Sequence, residues 1–320
     1  MSEKISRRLF IKEIGLIGGI ALAGLPFNSK ASDKIPKRVL GRTGVQVSTL
    51  ALGMGPLGIN SNIQSAEVDE LVSLCIDMGI NYIDVAPNYG NGEEKLAPLL
   101  KKRREEVFLV SKVEESSKDG ALRQVSESLN KMQTAYLDAV HLHNFGGFDT
   151  EAVLGKDGAL AGLMEARKSG LIKFIGISGH EQPAKFLKAI ETDEIDLVMT
   201  VLNFVDRHTY NFENILLPEA KKRKAGIAAM KVLGGAVGMQ YDKPMPALLP
   251  KEHYTSAIRY SLGLPGVATL VIGLKNREEI LQAVEAVRNY EELSDDEKLY
   301  LDKTGRELAE KWGAHFGPVS

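Results

Sequence analysis

From about residue 37 onward, short runs of β-branched and apolar residues alternate with longer segments whose apolar positions recur every three or four residues. The runs predict strands over 47–53, 82–86, 107–113, 137–143, 174–178, 197–202, 227–233 and 267–273. The longer segments predict amphipathic helices over 65–78, 93–101, 120–132, 160–169, 183–191, 212–224, 254–262 and 277–287. Glycine follows several of these just before the next strand, at Met78-Gly79, Ser169-Gly170 and Ala225-Gly226, where a left-handed helix stop is expected. Eight strand–helix units in about 250 residues are the count and length of an α/β fold of the (β/α)8 TIM-barrel type. An eight-stranded doubly wound sheet is the competing architecture. Its dinucleotide fingerprint is missing: Gly53-Met-Gly-Pro-Leu-Gly58 matches by letters but runs into Ile59-Asn-Ser-Asn62 rather than a helix.

Composition narrows the class without naming a chemistry. The 320 residues carry a net charge of -2, with 44% hydrophobic and 26% charged residues, as expected of a soluble globular protein with a full core. That balance offers no footprint for nucleic acid. The basic runs Lys221-Lys-Arg-Lys224 and Lys101-Lys-Arg-Arg104 sit at predicted helix ends, where cations complement the dipole. The single cysteine, Cys75, lies in an apolar-periodic run and reads as a buried helix residue rather than a reactive thiol.

The amino terminus reads as a targeting segment. Ser6-Arg-Arg-Leu-Phe-Ile-Lys12 precedes the apolar, glycine-bearing 14–25 and a small-residue region around Ser29-Lys-Ala31, the order of an export signal. The paired arginines resemble the twin-arginine type, so the twin-arginine machinery is an expected partner and the periplasm, or another exported location, the expected address. An ordinary secretory signal or an uncleaved anchor is the other reading. The apolar stretch is shorter than the roughly 20 residues of a membrane span, so no stable span is expected in the mature protein. The domain map is therefore 1–31 export signal, 32–290 barrel with an amino-terminal β-hairpin, and 291–320 a carboxyl-terminal helix and tail packed on the barrel through Trp312 and Phe316.

In a barrel of this kind, chemistry collects where strands end on the carboxyl-terminal rim. Asp84, Lys112 and His143 end the second, third and fourth predicted strands, and Tyr89 follows in the loop above the second. A lone phenol titrates at about 10, a poor acid at neutral pH. An ammonium beside it, itself held by a carboxylate, favours the phenolate; a shift of three units needs about 4 kcal/mol of differential stabilisation. Acid, phenol, amine and imidazole on one rim thus form a proton-delivery device suited to a carbonyl. His141 shares the parity of His143 one pleat deeper and is expected to be a buried supporting residue.

From residue 38 to about 287 the chain resembles the aldo-keto reductase family. The resemblance is carried by Val39-Leu-Gly-Arg-Thr-Gly-Val-Gln-Val-Ser48, Gly79-Ile-Asn-Tyr-Ile-Asp-Val-Ala-Pro-Asn-Tyr-Gly90, Ser111-Lys112, Tyr136-Leu-Asp-Ala-Val-His-Leu-His143 and Lys173-Phe-Ile-Gly-Ile-Ser178. It implies a barrel oxidoreductase that binds a nicotinamide dinucleotide, usually NADP with NAD also possible, across the rim and without a metal. Tyr89 would pass a proton to or from a small carbonyl or sugar substrate, Lys112 would lower its pKa, Asp84 would hold Lys112, and His143 would orient the carbonyl. For the cofactor the resemblance implies Gly53, Met54, Asp84, Ser178, Met199, Met230, Lys231, Leu233, Gly234, Gly273 and Lys275. Departures from the family pattern fall at Gly179, Met199, Met230 and Glu279; a carboxylate at Glu279 would repel a 2′-phosphate that Lys275 would attract. The glycine- and proline-rich connection 234–250 is a candidate cofactor-clasping loop. Two other readings are a barrel whose tightly held nicotinamide serves a net non-redox sugar reaction, and a noncatalytic nucleotide-binding subunit.

Overall fold

The computed structural model describes residues 34–239 and 246–320; the export-signal reading of 1–31 and the middle of the 234–250 connection lie outside them. Ten strands are described: β1 (Lys37–Val39), β2 (Gln46–Ser48), β3 (Leu50–Gly53), β4 (Tyr82–Asp84), β5 (Phe108–Val113), β6 (Leu137–Leu142), β7 (Ile172–Gly179), β8 (Leu197–Val201), β9 (Gly226–Met230) and β10 (Val267–Gly273). β3 to β10 form a closed barrel in which β10 pairs back to β3 and every pairing is parallel. Helices follow the strands on the outside, and β1 and β2 form the separate antiparallel hairpin.

The predicted first strand, 47–53, is two strands. At Ser48 the chain leaves the hairpin for the barrel, and the serine hydroxyl donates to Leu50 O at 2.6 Å while accepting from the amide of Asn81 at 3.0 Å. The hairpin seals the barrel floor: Leu40 and Val47 are fully buried against Ala51, Tyr82, Phe108 and Leu197. Arg38 fastens it by donating to the carbonyls of Leu262 and Val267 at 2.8 and 2.7 Å.

Helix-stop glycines behave as expected at Gly79 and Gly170, both at positive φ, but not at Gly226. Lys224 takes the left-handed turn there, whereas Gly226 opens β9 because a Cβ would come within 2.7 Å of the Leu40 side chain. The helix expected over 212–224 breaks into Phe212–Ile215 and Leu217–Lys222, because Pro218 has no amide hydrogen with which to continue the first one. Within the glycine-bearing run after the first barrel strand, Gly55–Ile59 forms a short helix that ends before Asn60. Its final carbonyls are satisfied by the buried ammonium of Lys95, which donates to Leu57 O and Asn60 O at 2.8 and 3.0 Å.

The basic runs are neutralised locally. Arg103 bonds Glu106 and Asp77, Arg104 bonds Asp138, and Arg223 pairs with Glu219 and Asp193. Cys75 is fully buried, and burial pushes its thiol up to about 12, which suits packing and not nucleophilic chemistry. Helix Asp295–Trp312, opened by a capping box at Ser294 and Glu297, carries the tail across the carboxyl-terminal rim.

Candidate active site

Alternation along the strands sorts side chains between the barrel interior and the helix layer. Tyr82, Phe108, Val110, Ala139, Phe174, Leu197, Met199 and Ala228 share the interior, whereas Leu52, Ile83, Leu109, Val140 and Ile175 pack against the helices. Continuing the inward rows toward the carboxyl ends brings up Asp84 on β4, Lys112 on β5, His141 and His143 on and just past β6, and Ser178 on β7. The sequence-predicted tetrad therefore converges.

Lys112 is 1% exposed and uses all three ammonium donors: Asp84 Oδ1 and Oδ2, each at 2.8 Å, and Val85 O at 2.9 Å. Burial pulls its pKa below the ordinary lysine value, and Asp84 opposes that pull. The ammonium lies 4.7 Å from the ring centroid of half-buried Tyr89. His143 meets the same ring edge-on, with centroids 6.1 Å apart and an interplanar angle of 83°. Its Nδ1 stands 3.2 Å from Glu114 Oε1, within ion-pair reach but outside hydrogen-bond alignment. Burial holds the His143 imidazole below its usual pKa, against the pull of Glu114, so it is neutral at neutral pH.

Glu114 was not foreseen from the sequence. It accepts from Asn88 Nδ2 at 2.6 Å, so Asn88, Glu114 and His143 tie the loop carrying Tyr89 to the end of β6. The available signal was parity, since Glu114 lies two residues beyond Lys112. His141 is where expected, fully buried, with neither ring nitrogen hydrogen-bonded among the described residues. Gly176 makes the space for it: a Cβ there would lie 2.4 Å from its Cδ2.

His141, His143 and His180 all have pKa values depressed by burial, His180 to about 3. Unfolding frees each to take a proton near 6.5, so their contribution to stability is present above that pH and is lost as pH falls toward the folded values. Between pH 6.5 and 5 few carboxylates titrate, so the melting temperature is expected to drop across that window. A flat melting temperature there would contradict the burial of neutral imidazoles.

The cofactor candidates divide into those that fit and those that do not. Ser178 Oγ is buried without a hydrogen-bond partner among the described residues, as a hydroxyl awaiting a ligand would be. Met199 lies level with Ser178 in register, fully inside the barrel, and Met230 is half-buried at the end of β9. Gly53 and Gly273 face each other as bare backbone, and a Cβ on Gly273 would lie 2.6 Å from Pro56. Lys231 turns the chain in the left-handed region at φ 55°, and its carbonyl accepts from Asn203 Nδ2 at 2.9 Å; this is why β9 stops at Met230 instead of 233. Leu233 packs half-buried against the core, and Gly234 lies against Trp312 of the tail. Arms of the 234–250 connection pair through Ala236 and Ala247.

Met54 has its side chain fully buried in the core, and its backbone amide donates to Asp84 O at 2.8 Å. Gly179 accepts no larger residue, because a Cβ would press to 2.9 Å from Phe186 and 3.2 Å from the Phe145 amide. The Glu279 carboxylate turns back on Lys275, accepting its backbone amide at 2.8 Å and lying 3.6 Å from its ammonium.

A parallel eight-stranded barrel with a buried lysine–aspartate pair against a tyrosine and a histidine at its carboxyl rim defines a barrel oxidoreductase. The chain belongs to the aldo/keto reductase family, whose model matches residues 49–253. It is 22% identical over 299 residues to L-galactose dehydrogenase of Arabidopsis thaliana, an alignment covering 83% of this chain and 92% of that protein. D-arabinose 1-dehydrogenase of Saccharomyces cerevisiae is 28% identical over 304 residues, covering 81% of this chain and 88% of the relative. In fold, the chain is similar to an aldo-keto reductase of Bacillus halodurans with a TM-score of 0.69 at 23% identity, covering 84% of this chain and 96% of that one.

Proposed function

We propose that the protein reduces the carbonyl of a small molecule, or oxidises the corresponding alcohol, with Tyr89 passing the proton and a nicotinamide dinucleotide exchanging the hydride. The observation that carries this reading is the Asp84–Lys112 pair, desolvated and set against the Tyr89 ring. An ammonium in that position stabilises charge that develops on the phenol oxygen as its proton leaves, and does so strongly because water is excluded. Neutral His143, set edge-on against the Tyr89 ring, is suited to help position the reacting oxygen of the substrate. The Ser178 hydroxyl, without a hydrogen-bond partner among the described residues, supports nicotinamide at the end of β7. Relatives named as sugar dehydrogenases favour a hydroxylated substrate. Assaying the protein with NADH and NADPH across a panel of aldehydes, ketones and sugars tests the reading; turnover of none of them would reject it.

The Glu279–Lys275 arrangement supports NAD over NADP. A fixed carboxylate at the anion position repels a 2′-phosphate and leaves a 2′-hydroxyl tolerable. Glu279→Gln is expected to tighten NADPH roughly threefold relative to NADH, the scale of a partly exposed charge interaction. Quenching of Trp312 fluorescence during titration with each nucleotide measures this without turnover. An unaltered ratio would remove Glu279 from cofactor choice.

A further inference from the structure

The inward row of β7 does not stop at Ser178. Its alternating residues Phe174, Gly176 and Ser178 face the barrel interior, and His180 is the next in that row, one pleat beyond the strand end. Register brings it beside the described site. His141 pairs with Gly176 and Leu142 with Ile177, so His143 stands level with Ser178 and His180 rises one step above both. Lys231 and His143 are near enough to act on it electrostatically.

His180 is held on one side only. Its ring stacks on Phe316 of the tail, with centroids 5.0 Å apart and planes at 28°. Phe316 is itself fixed, its amide donating to Tyr210 Oη at 2.6 Å, while His315 Nε2 lies 2.9 Å from buried Asp206 Oδ1 and the Gln182 amide donates to Pro318 O at 3.2 Å. His180 Nδ1 is shut away from solvent with no hydrogen-bond partner among the described residues, whereas Nε2 is not among the buried, unpartnered atoms. A half-buried imidazole of fixed orientation, with one ring nitrogen unpartnered and shut from water, keeps hydrogen-bonding capacity that a ligand can complete. Burial, with Lys231, His143 and His315 adding to it, brings the pKa to about 3, so the ring is neutral and keeps one donor and one acceptor.

We propose that His180 is a substrate-contacting, specificity-determining residue that hydrogen-bonds a hydroxyl group next to the reacting carbonyl, with Phe316 as the apolar wall behind it. The inference rests on the carbonyl–alcohol reading above and deepens it: the preferred substrates are hydroxycarbonyl compounds rather than simple aldehydes. Two aromatic-lined histidines one pleat apart, His143 for the carbonyl oxygen and His180 for its neighbour, would read a two-point pattern of oxygens.

Glyceraldehyde and propanal, which share a three-carbon aldehyde skeleton and differ in their hydroxyls, are the probes. The parent is expected to prefer glyceraldehyde. His180→Phe, which keeps a ring against Phe316 but removes both nitrogens, is expected to lower kcat/KM for glyceraldehyde about tenfold, the scale of one lost hydrogen bond at a desolvated site, and to leave propanal unchanged. His180→Gln, returning a donor and an acceptor, is expected to recover part of the loss. Thermal melts establish that both variants fold; if the phenylalanine variant does not, the glutamine variant's ratio of the two substrates decides in the same way. Parallel changes for both aldehydes, or no change for either, would overturn the assignment of His180 while leaving the parent's activity intact. A parent that turns over no carbonyl compound would instead overturn the reading on which the inference rests.

Discussion

Replacing Lys112 with methionine is expected to abolish turnover and to destabilise the barrel by about 3–5 kcal/mol, the cost of leaving one partner of a buried ion pair uncompensated. Asp84 is 2% exposed, and both its carboxylate oxygens accept from the ammonium that would be lost. It must then take up a proton or stay charged in a nearly dry interior, and both are expensive. For a domain of this size each kcal/mol moves the melting temperature by about 2–4 °C, so the drop should be roughly 10 °C. Adding Asp84→Asn to Lys112→Met removes the stranded charge, and the double variant should regain much of the stability with none of the activity. That split separates the two roles of the pair. A single Lys112→Met variant that melted with the parent would show that the pair is solvated in solution, and the electrostatic basis of the site would fall with it.

Tyr89→Phe is expected to lower kcat by about 10²–10⁴-fold, the range for loss of a positioned proton donor, with little change in melting temperature. Tyr89 is half-buried and keeps its ring against Lys112 and His143 whether or not it bears a hydroxyl. Nucleotide affinity should be unchanged, because Ser178 and the rim glycines are untouched. Residual turnover within tenfold of the parent, measured with saturating cofactor, would move the proton transfer to another group.

Much of this site was legible before any coordinates. Asp84, Lys112 and His143 could be aligned because each lies at the end of a clear apolar run, and parallel strands of a barrel deliver such ends to one rim. Gly176 and Gly226 were not legible, because each is glycine for a distant partner, the His141 ring in one case and Leu40 in the other. The burial of the Met54 side chain was not legible either, because motif position identifies the backbone and says nothing of which way a side chain turns at a strand end. Glu114 and His180 have the right parity, but parity beyond a strand end holds only if the chain stays extended, and that depends on the loop.

The sequence by itself determined the barrel and the chemistry of its rim, because hydrophobic period is a local property that sets which face of each strand and helix is buried. The tertiary structure decided how those groups are completed: the three-donor seating of Lys112, the placement of Glu114 beside His143, the folding of the Glu279 carboxylate onto Lys275, and the tail that sets Phe316 against His180. Each joins residues from separate elements at separations of about 3–5 Å, where electrostatics and hydrogen bonding are decided by tenths of an ångström. No pattern along the chain encodes distances of that kind; the packing of one element against another does.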